Sequence, residues 1–416
     1  MQNEDDLKKR ALDYHELPKP GKIGIEVTKS ASTQDDLTLA YSPGVAAPVR
    51  AIANNEQDAY KYTNKGNLVL IVTDGTAVLG LGNTGALASK PVMEGKSLLF
   101  KIYADVDVFD IEVKCDNSEE FIETVARIAP GFGGINLEDI AAPHCFEIEK
   151  RLKKKLDIPV FHDDQHGTAV ITAAGMMNAL TLQDKKIEDV KVVCTGAGAA
   201  GIACMKMLMH LGLKKENIYM IDRKGVITTD RTDLNEHKQE FANPNTDKRS
   251  LEQAMAGADA LVGVSGPGII TPEMIKSMAD RPIVFALSNP DPEIWPREVK
   301  AVRDDAIVAT GRSDFPNQVN NVLGFPYIFR GALDVQATTI NYDMLIACVE
   351  ALCELTQQPV PPEVMKAYGV DSMEFGPEYI IPKPNDPRLI EILPPAISRA
   401  AIKSKVARII PEHLAD

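Results

Sequence analysis

One segment of this 416-residue sequence limits its possible folds more than any other. GAGAAG has the spacing G-x-G-x-x-G and stands between an apolar run, KVVCT at 191–195, and a helical segment that begins at Ile202. In such a strand–turn–helix unit the glycines permit a tight turn, close approach of a pyrophosphate and close helix packing. The segment predicts a dinucleotide site rather than a merely tight turn. Its residues are Gly196, Ala197, Gly198, Ala199, Ala200 and Gly201.

Strand-like and helical segments alternate along most of the chain. Strands are expected at 67–74, 107–113, 158–164, 191–195, 217–222, 258–265, 282–288 and 306–310, and helices at 91–103, 118–129 and 168–181. This alternation predicts an α/β fold with a doubly wound parallel sheet. Because the chain is longer than one core usually supports, we expect an N-terminal α/β substrate domain at 1–162 and a Rossmann-type domain at 163–416 that carries C-terminal helices.

The charge balance narrows the classes of partner. The formal net charge is -14, which disfavours binding to nucleic acid and to anionic membrane surfaces. None of the six cysteines forms a C-x-x-C pair, and no apolar run approaches the ~20 residues that a membrane span needs. We therefore expect reduced cysteines, no membrane partner and a cytoplasmic location.

The strand after the glycine-rich turn ends at Asp222, about ~20 residues on, where an acid can bind the adenosine ribose. Arg223 and Lys224 follow at once and could instead hold a 2′-phosphate, although two solvated cations explain them nearly as well. Asn289 follows a later strand, where loops of this fold line the nicotinamide, but a simple turn fits it equally. The sequence therefore indicates NADP or NAD as the cofactor.

Two acidic pairs point to a metal site. Glu138 and Asp139 are adjacent, as are Asp163 and Asp164, and both pairs have apolar flanks. Clustered carboxylates repel one another unless a cation lies between them, and oxygen ligands favour Mg²⁺ or Mn²⁺. Solvation is the ordinary explanation for a single pair, but two such pairs favour the metal. Neighbouring His162 and His166 are interpreted as structural.

Taken together, the motifs resemble those of malic enzymes, most closely the malic enzyme part of the hybrid NADP-dependent bacterial enzymes. The resemblance rests on LAYSPGVAAP, DGTAVLGLGNTGALASKPVMEGK, GGINLEDI, IPVFHDDQHGTAV, GAGAAGIA and TGRSDFPNQVNNVLGFPYIFRGALD, and it extends over nearly the whole chain. Two residues in these motifs, Tyr41 and Lys96, would otherwise pass for a packed tyrosine and a solvated lysine.

The resemblance implies a role for individual residues. Tyr41 matches the family's general acid and Lys96 its general base, with Asp163 beside the lysine. Asn289 and Asn320 match asparagines that contact nicotinamide or substrate, and Asn321 follows the latter. Animal-type enzymes have a substrate-binding arginine where this sequence has Ala77, so the residue that holds the substrate carboxylate is left open. The implied metal ligands are Glu138, Asp139 and Asp164.

The implied reaction is oxidation of malate by NADP, with NAD as the less favoured alternative, and release of pyruvate and carbon dioxide. Oxaloacetate decarboxylation is implied as a partial reaction. Lys96 would need its pKa lowered by burial or by a nearby cation. A homodimer or higher homo-oligomer is expected, because in relatives the tyrosine-bearing segment reaches the neighbouring subunit. Whether the phosphotransacetylase-like domain of hybrid relatives belongs to this protein is open.

Two other functions remain compatible with the residues alone. A dehydrogenase of another hydroxy or amino acid would share the dinucleotide site but would not need the four carboxylates. A non-catalytic module that senses the dinucleotide would need neither metal nor malate. Metal dependence separates the first alternative from a malic enzyme, and turnover with malate excludes the second.

Overall fold

The computed structural model describes residues 4–78, 81–244 and 246–415. Within these ranges the α-helices are α1 Glu4–Glu16, α2 Gln34–Ala40, α3 Ala46–Asn54, α4 Ala59–Tyr62, α5 Ala86–Ala104, α6 Ser118–Ile128, α7 His144–Lys155, α8 Asp163–Leu182, α9 Ala199–His210, α10 Glu236–Gln239, α11 Leu251–Met255, α12 Pro272–Lys276, α13 Pro296–Val302, α14 Phe325–Asp334, α15 Tyr342–Thr356, α16 Pro362–Tyr368 and α17 Arg388–Lys403. The strands are β1 Leu68–Thr73, β2 Asp107–Glu112, β3 Gly134–Leu137, β4 Val160–His162, β5 Val192–Thr195, β6 Ile218–Asp222, β7 Gly225–Val226, β8 Ala260–Gly263, β9 Ile283–Ala286 and β10 Ile307–Thr310.

The strands form two sheets. The first is parallel and has the order β2-β1-β3-β4. Its strand β1 is buried along its whole length, as expected for an apolar, β-branched run covered on both faces. The second sheet has the order β10-β9-β8-β5-β6-β7 and is parallel except for the two-residue strand β7. The predicted α/β fold is confirmed.

The order of the second sheet reverses between β5 and β8, which lie side by side. At such a switch point the loops after adjacent strands diverge to opposite faces and leave a crevice at the carboxyl ends of the strands. The glycine-rich turn follows β5 at this point. The fold therefore places the predicted dinucleotide site at the position where ligands of doubly wound sheets bind.

Helix α8 connects the two sheets and begins earlier than the sequence indicated. We expected the strand to continue through Asp164 and the helix to begin near Thr168, but β4 ends at His162 and α8 begins at Asp163. Both acids therefore lie in the first helical turn, where carboxylates interact favourably with the helix dipole. Most of α8 is buried in a core cluster that also contains residues of both sheets.

The chain termini differ in how they pack. Helix α17 contacts α14 and α15 through buried apolar residues, so this part of the C-terminal extension belongs to the core. At the other end, none of the described residues of α2 and α3 is buried. No helix in the described ranges is long and apolar enough to cross a membrane.

Candidate active site

A cavity of about 580 Å³ lies where the carboxyl ends of both sheets converge. Its walls come from loops that follow β1, β3, β8, β9 and β10, from helix α5 and from the first turns of α8 and α9. Lys96 is the only cation among the described residues that line it. The cavity thus joins the region of the acidic pairs to the region of the glycine-rich turn.

Three carboxylates meet on one side of this cavity. Glu138, Asp139 and Asp164 each offer an oxygen within 4.8 Å of the other two. The end of β3 turns the first two toward the helix that carries the third, and the Asp139 amide donates to Asp164 Oδ2 at 2.8 Å. Three oxygen donors at this spacing fit a hard divalent cation such as Mg²⁺ or Mn²⁺. Their role as metal ligands stays a prediction.

Lys96 bridges the carboxylate cluster and Asp163. Its Nζ lies 2.6 Å from Asp163 Oδ2 and 2.9 Å from Glu138 Oε1, and its ammonium stands 4.4 Å from the centre of the Phe325 ring. Burial lowers the pKa of Lys96, but the negative charges of Asp163 and Glu138 outweigh it and raise the pKa above its ordinary value. Burial alone therefore does not lower the pKa as a general base requires, and the expected lowering by a nearby cation stays a prediction.

Asp163 is held by groups on several sides. It is fully buried and accepts a hydrogen bond from Asn321 Nδ2 at 3.0 Å. A Cβ atom added to Gly167 would lie 1.8 Å from Asp163 Oδ1, so only glycine leaves room for the carboxylate one turn earlier on α8. Burial raises the pKa of the neighbouring Glu138 well above its usual range. Because burial and the nearby carboxylates disfavour a negative charge on Glu138, a cation at the site would stabilise its ionised form.

The two histidines near the cluster differ in their surroundings. His166 Nε2 lies 2.7 Å from Glu149 Oε1, which agrees with a structural role. His162 is fully buried, and neither ring nitrogen has a hydrogen-bond partner in the described part of the chain. Its Nε2 stands 3.7 Å from Asp164 Oδ2, and burial lowers its pKa. A neutral imidazole is thus packed behind the metal-ligand candidate.

The glycine-rich turn has the geometry that a pyrophosphate requires. Gly196 has φ of 98° and donates its amide to Ile221 O at 3.1 Å, and a Cβ on Gly201 would lie 2.0 Å from Gly196 O. Among the described residues no side chain caps α9 at Gly198, so the first amides of this helix stay available to an anion.

At the end of β6 the structure adds two cations that the sequence did not single out. Arg231 contacts both oxygens of Asp222, at 2.8 and 3.0 Å, and Lys238 Nζ lies 2.8 Å from the same carboxylate. Burial alone would raise the pKa of Asp222, but these cations lower it to about 2. Arg223 is exposed. Because Arg231 comes from the loop after β7 and Lys238 from α10, no local motif marked them.

The loops after β8 and β9 form the opposite wall of the cavity. Asn289 and Asn320 line the cavity, as do Ser265 and Ser288. Contact of the two asparagines with nicotinamide or substrate stays a prediction. Glu293, which the sequence gave no reason to choose, is fully buried behind these loops. A lone glutamate in a Pro-rich loop carries no pattern that distinguishes it from a solvated surface acid.

Tyr41 lies apart from the other predicted catalytic residues. Its relative exposure is 77%, and it is not among the described residues that line the cavity. The structure therefore gathers Lys96, Asp163 and the carboxylates within one chain but leaves the tyrosine outside.

Comparison with known proteins shows which family combines these features. The model of the malic enzyme N-terminal domain matches residues 20–153, and that of the malic enzyme NAD-binding domain matches residues 165–366. The chain belongs to the malic enzyme family. It is 59% identical to the NADP-dependent malic enzyme of Halomonas elongata, with 97% of this chain and 96% of that protein covered.

Two further comparisons extend this result. The NADP-dependent malic enzyme of Rhizobium meliloti is 58% identical over 96% of this chain, which spans 52% of that protein. The chain thus covers about half the length of some malic enzymes and nearly all of others. The crystal structure of the malic enzyme from Pyrococcus horikoshii matches with a TM-score of 0.89 and 44% identity, covering 97% of this chain and 92% of that one. The family resemblance inferred from the motifs is confirmed.

Proposed function

We propose that this protein oxidises malate with a nicotinamide cofactor, NADP in preference to NAD, and releases pyruvate and carbon dioxide with Mg²⁺ or Mn²⁺ as a required ion. Decarboxylation of oxaloacetate accompanies this activity as a partial reaction. The observation that carries the proposal is the position of Lys96, held by Asp163 and Glu138 at the junction of the carboxylate cluster and the cofactor cavity. A dehydrogenase without a decarboxylation step has no need of this cluster.

The residues divide the proton transfers between them. Lys96 accepts the proton of the substrate hydroxyl at Nζ, and Asp163 orients its ammonium afterwards. A divalent cation held by Glu138 would offset negative charge next to Lys96 and would lower the pKa of Lys96 toward the range of a base. Tyr41 donates the proton that C3 of the product receives. Glu138, Asp139 and Asp164 would hold a divalent ion that supplies positive charge at the substrate oxygens, and the nicotinamide would accept the hydride from C2.

The function is tested by following nicotinamide reduction with malate, NADP and Mg²⁺ or Mn²⁺, each omitted in turn. We expect turnover only when all three are present, with pyruvate and carbon dioxide formed in equal amounts. Full activity in excess EDTA contradicts the metal requirement. Cofactor binding without turnover of malate favours the non-catalytic sensing module instead.

The contacts of Asp222 support a preference for NADP. Arg231 and Lys238 pair with its carboxylate, and Arg231 and Lys224 also pair with Asp233. Three cations and two carboxylates leave one excess positive charge at the end of β6, where the adenosine ribose is expected. Replacing Arg231 by alanine should raise the KM for NADP by the ~10 to 100-fold typical of a lost hydrogen bond to a charged group, because Asp222 then loses one of its two cationic partners and repels a 2′-phosphate more strongly. The KM for NAD should change little. Steady-state kinetics with both cofactors measure this.

Two variants serve as comparisons for that experiment. Arg223→Ala removes the exposed cation next to Asp222 in the sequence and should have the smaller effect, and Lys215→Ala removes an exposed cation elsewhere. If the unmodified protein has a higher kcat/KM for NAD than for NADP, the proposed preference is wrong.

The exposed position of Tyr41 supports a homodimer or higher homo-oligomer. The segment from α1 to α3 exposes many large apolar side chains, which we call the N-terminal apolar surface: Leu7, Leu12, Tyr14, Leu17, Ile25, Val27, Leu37, Leu39, Tyr41, Val45 and Val49. So many exposed apolar side chains in one segment are unfavourable in water and favour an interface. We propose that it packs against a second copy and brings Tyr41 into that copy's cavity.

A mixing experiment tests whether Tyr41 acts across the subunit boundary. Tyr41→Phe and Lys96→Ala should each be nearly inactive, since each lacks one proton-transfer group. Refolded or co-expressed at equal amounts, they should regain about a quarter of the normal activity, because about half of the dimers are mixed and each has one intact site. Pyruvate formation per protomer measures the recovery.

In the matched control, Tyr41→Phe is mixed with the double variant Tyr41→Phe/Lys96→Ala, so that no protomer in the mixture carries Tyr41. This mixture should stay inactive. An absence of recovery in the first mixture, with mixed dimers demonstrated by mass, shows that Tyr41 does not serve the neighbouring site.

We also propose the division into a substrate domain at 1–162 and a cofactor domain at 163–416, supported by the change from β4 to α8 at this point. A cytoplasmic location is part of the same proposal. The cysteines of the chain are all free, which suits a reducing compartment.

A further inference from the structure

Glu293 is a buried acid for which the proposed proton transfers have no use. Its side chain is fully inaccessible and lies behind the loops that follow β8 and β9. It accepts hydrogen bonds from the Ser265 amide at 2.9 Å, from the Ser288 amide at 3.1 Å and from Ser288 Oγ at 2.5 Å. One carboxylate therefore receives three donors from two different loops.

Both of these loops line the cofactor side of the cavity. The loop after β8 contributes the wall from Val264 to Pro267, and the loop after β9 contributes the wall from Leu287 to Asn289. Ser265 Oγ also donates to Thr195 Oγ1 at 3.1 Å, at the end of β5. The connection therefore extends from Glu293 to the strand that leads into the glycine-rich turn.

The packing around Glu293 leaves little space for another arrangement. A Cβ atom on Gly263 would lie 2.6 Å from Glu293 Cδ and 2.8 Å from Oε2. A Cβ on Gly196 would lie 2.5 Å from Val264 O, so the glycine-rich turn rests directly on the loop that Glu293 holds. Displacement of the carboxylate must therefore move at least one wall of the cavity.

We propose that Glu293 is a positioning residue that fixes the loops after β8 and β9 together and thereby sets the affinity for the dinucleotide. The chemistry requires a carboxylate, because all three neighbouring groups donate. An amide would place its own N–H₂ against one of those donors. The inference rests on the proposed function only in taking this cavity as the dinucleotide site.

The test compares Glu293→Gln with Gly263→Ala. The methyl group added at position 263 should displace the carboxylate of Glu293. Both variants should weaken the binding of NADPH, followed by its fluorescence, by about tenfold, the effect of a lost hydrogen bond to a charged group. NADH is titrated in parallel. The affinity for Mn²⁺ should stay within about twofold, since the carboxylate cluster lies on other loops.

Two matched controls separate this role from general destabilisation. Asp386→Asn removes another buried acid, and Gly131→Ala adds a methyl group where no atom lies within 4 Å. Neither should alter the binding of NADPH. Unchanged NADPH affinity in Glu293→Gln overturns the inference, as does an equal loss of NADPH and Mn²⁺ binding. A protein that binds NADPH in a Glu293-dependent way but does not turn over malate contradicts the proposed function alone.

Discussion

Replacement of Lys96 by alanine should abolish malate oxidation while leaving the metal site able to bind. The rate should fall by the ~10² to 10⁴-fold typical of a positioned acid–base group, because no other cation lines the described cavity. Lys96 also competes with a metal ion for Glu138, because its Nζ lies 2.9 Å from Glu138 Oε1. The variant should therefore bind Mn²⁺ at least as tightly as the unmodified protein. Decarboxylation of supplied oxaloacetate should suffer less than oxidation.

Lys90→Ala is the matched control for this experiment. Lys90 lies on the same helix, α5, and pairs with Asp110 at 2.7 Å outside the cavity. Its removal should leave malate oxidation intact. If Lys96→Ala lost oxidation and decarboxylation in equal proportion, the separate role of the lysine as the base would be wrong, although the metal assignment would survive.

Replacement of Asp164 by asparagine should remove activity through the metal. Asn keeps the shape of the side chain and can still accept the Asp139 amide that Asp164 Oδ2 accepts now, so the loop should hold its position. The loss of one charge should weaken Mn²⁺ binding by at least the ~10 to 100-fold that follows removal of a supporting group near a metal. Binding of NADPH should stay nearly unchanged, since the glycine-rich turn lies on another loop.

Calorimetric titration of Mn²⁺ and fluorescence titration of NADPH measure the two affinities separately. Asp189→Asn, an exposed acid at 68% side-chain exposure, is the control for charge alone. A variant at Asp164 that retained full turnover and normal Mn²⁺ affinity would remove it from the ligand set.

Local patterns predicted the parts of the fold that short segments determine. The glycine-rich turn, eight of the strands and the acidic pairs each carry their signal within a few residues, and the structure places them together as expected. The short strands β3 and β7 were not predicted. The first turn of α8 was assigned to a strand because FHDD follows apolar residues. Its helical character depends on the dipole interaction of Asp163 and Asp164, which periodicity does not report.

Local sequence patterns did not predict the residues whose partners are distant in the sequence. Arg231 contacts Asp222 from a separate loop. Glu293 can hold the loops after β8 and β9 together only because these two strands are neighbours in the sheet. The carboxylates that raise the pKa of Lys96 were not predicted as its neighbours, because the proximity of Asp163 and Glu138 is a tertiary property. Burial and partner geometry, rather than residue type, decide such cases.

Helix α8 limits how this enzyme could be redesigned for other substrates. Asp163 and Asp164 begin a 20-residue helix whose body is locked among core residues, and at Gly175 a methyl group would already lie 3.3 Å from the Phe285 ring. The two acids therefore cannot be shifted independently or by small steps. Transfer of the chemistry to another scaffold would therefore require the whole helix with its packing.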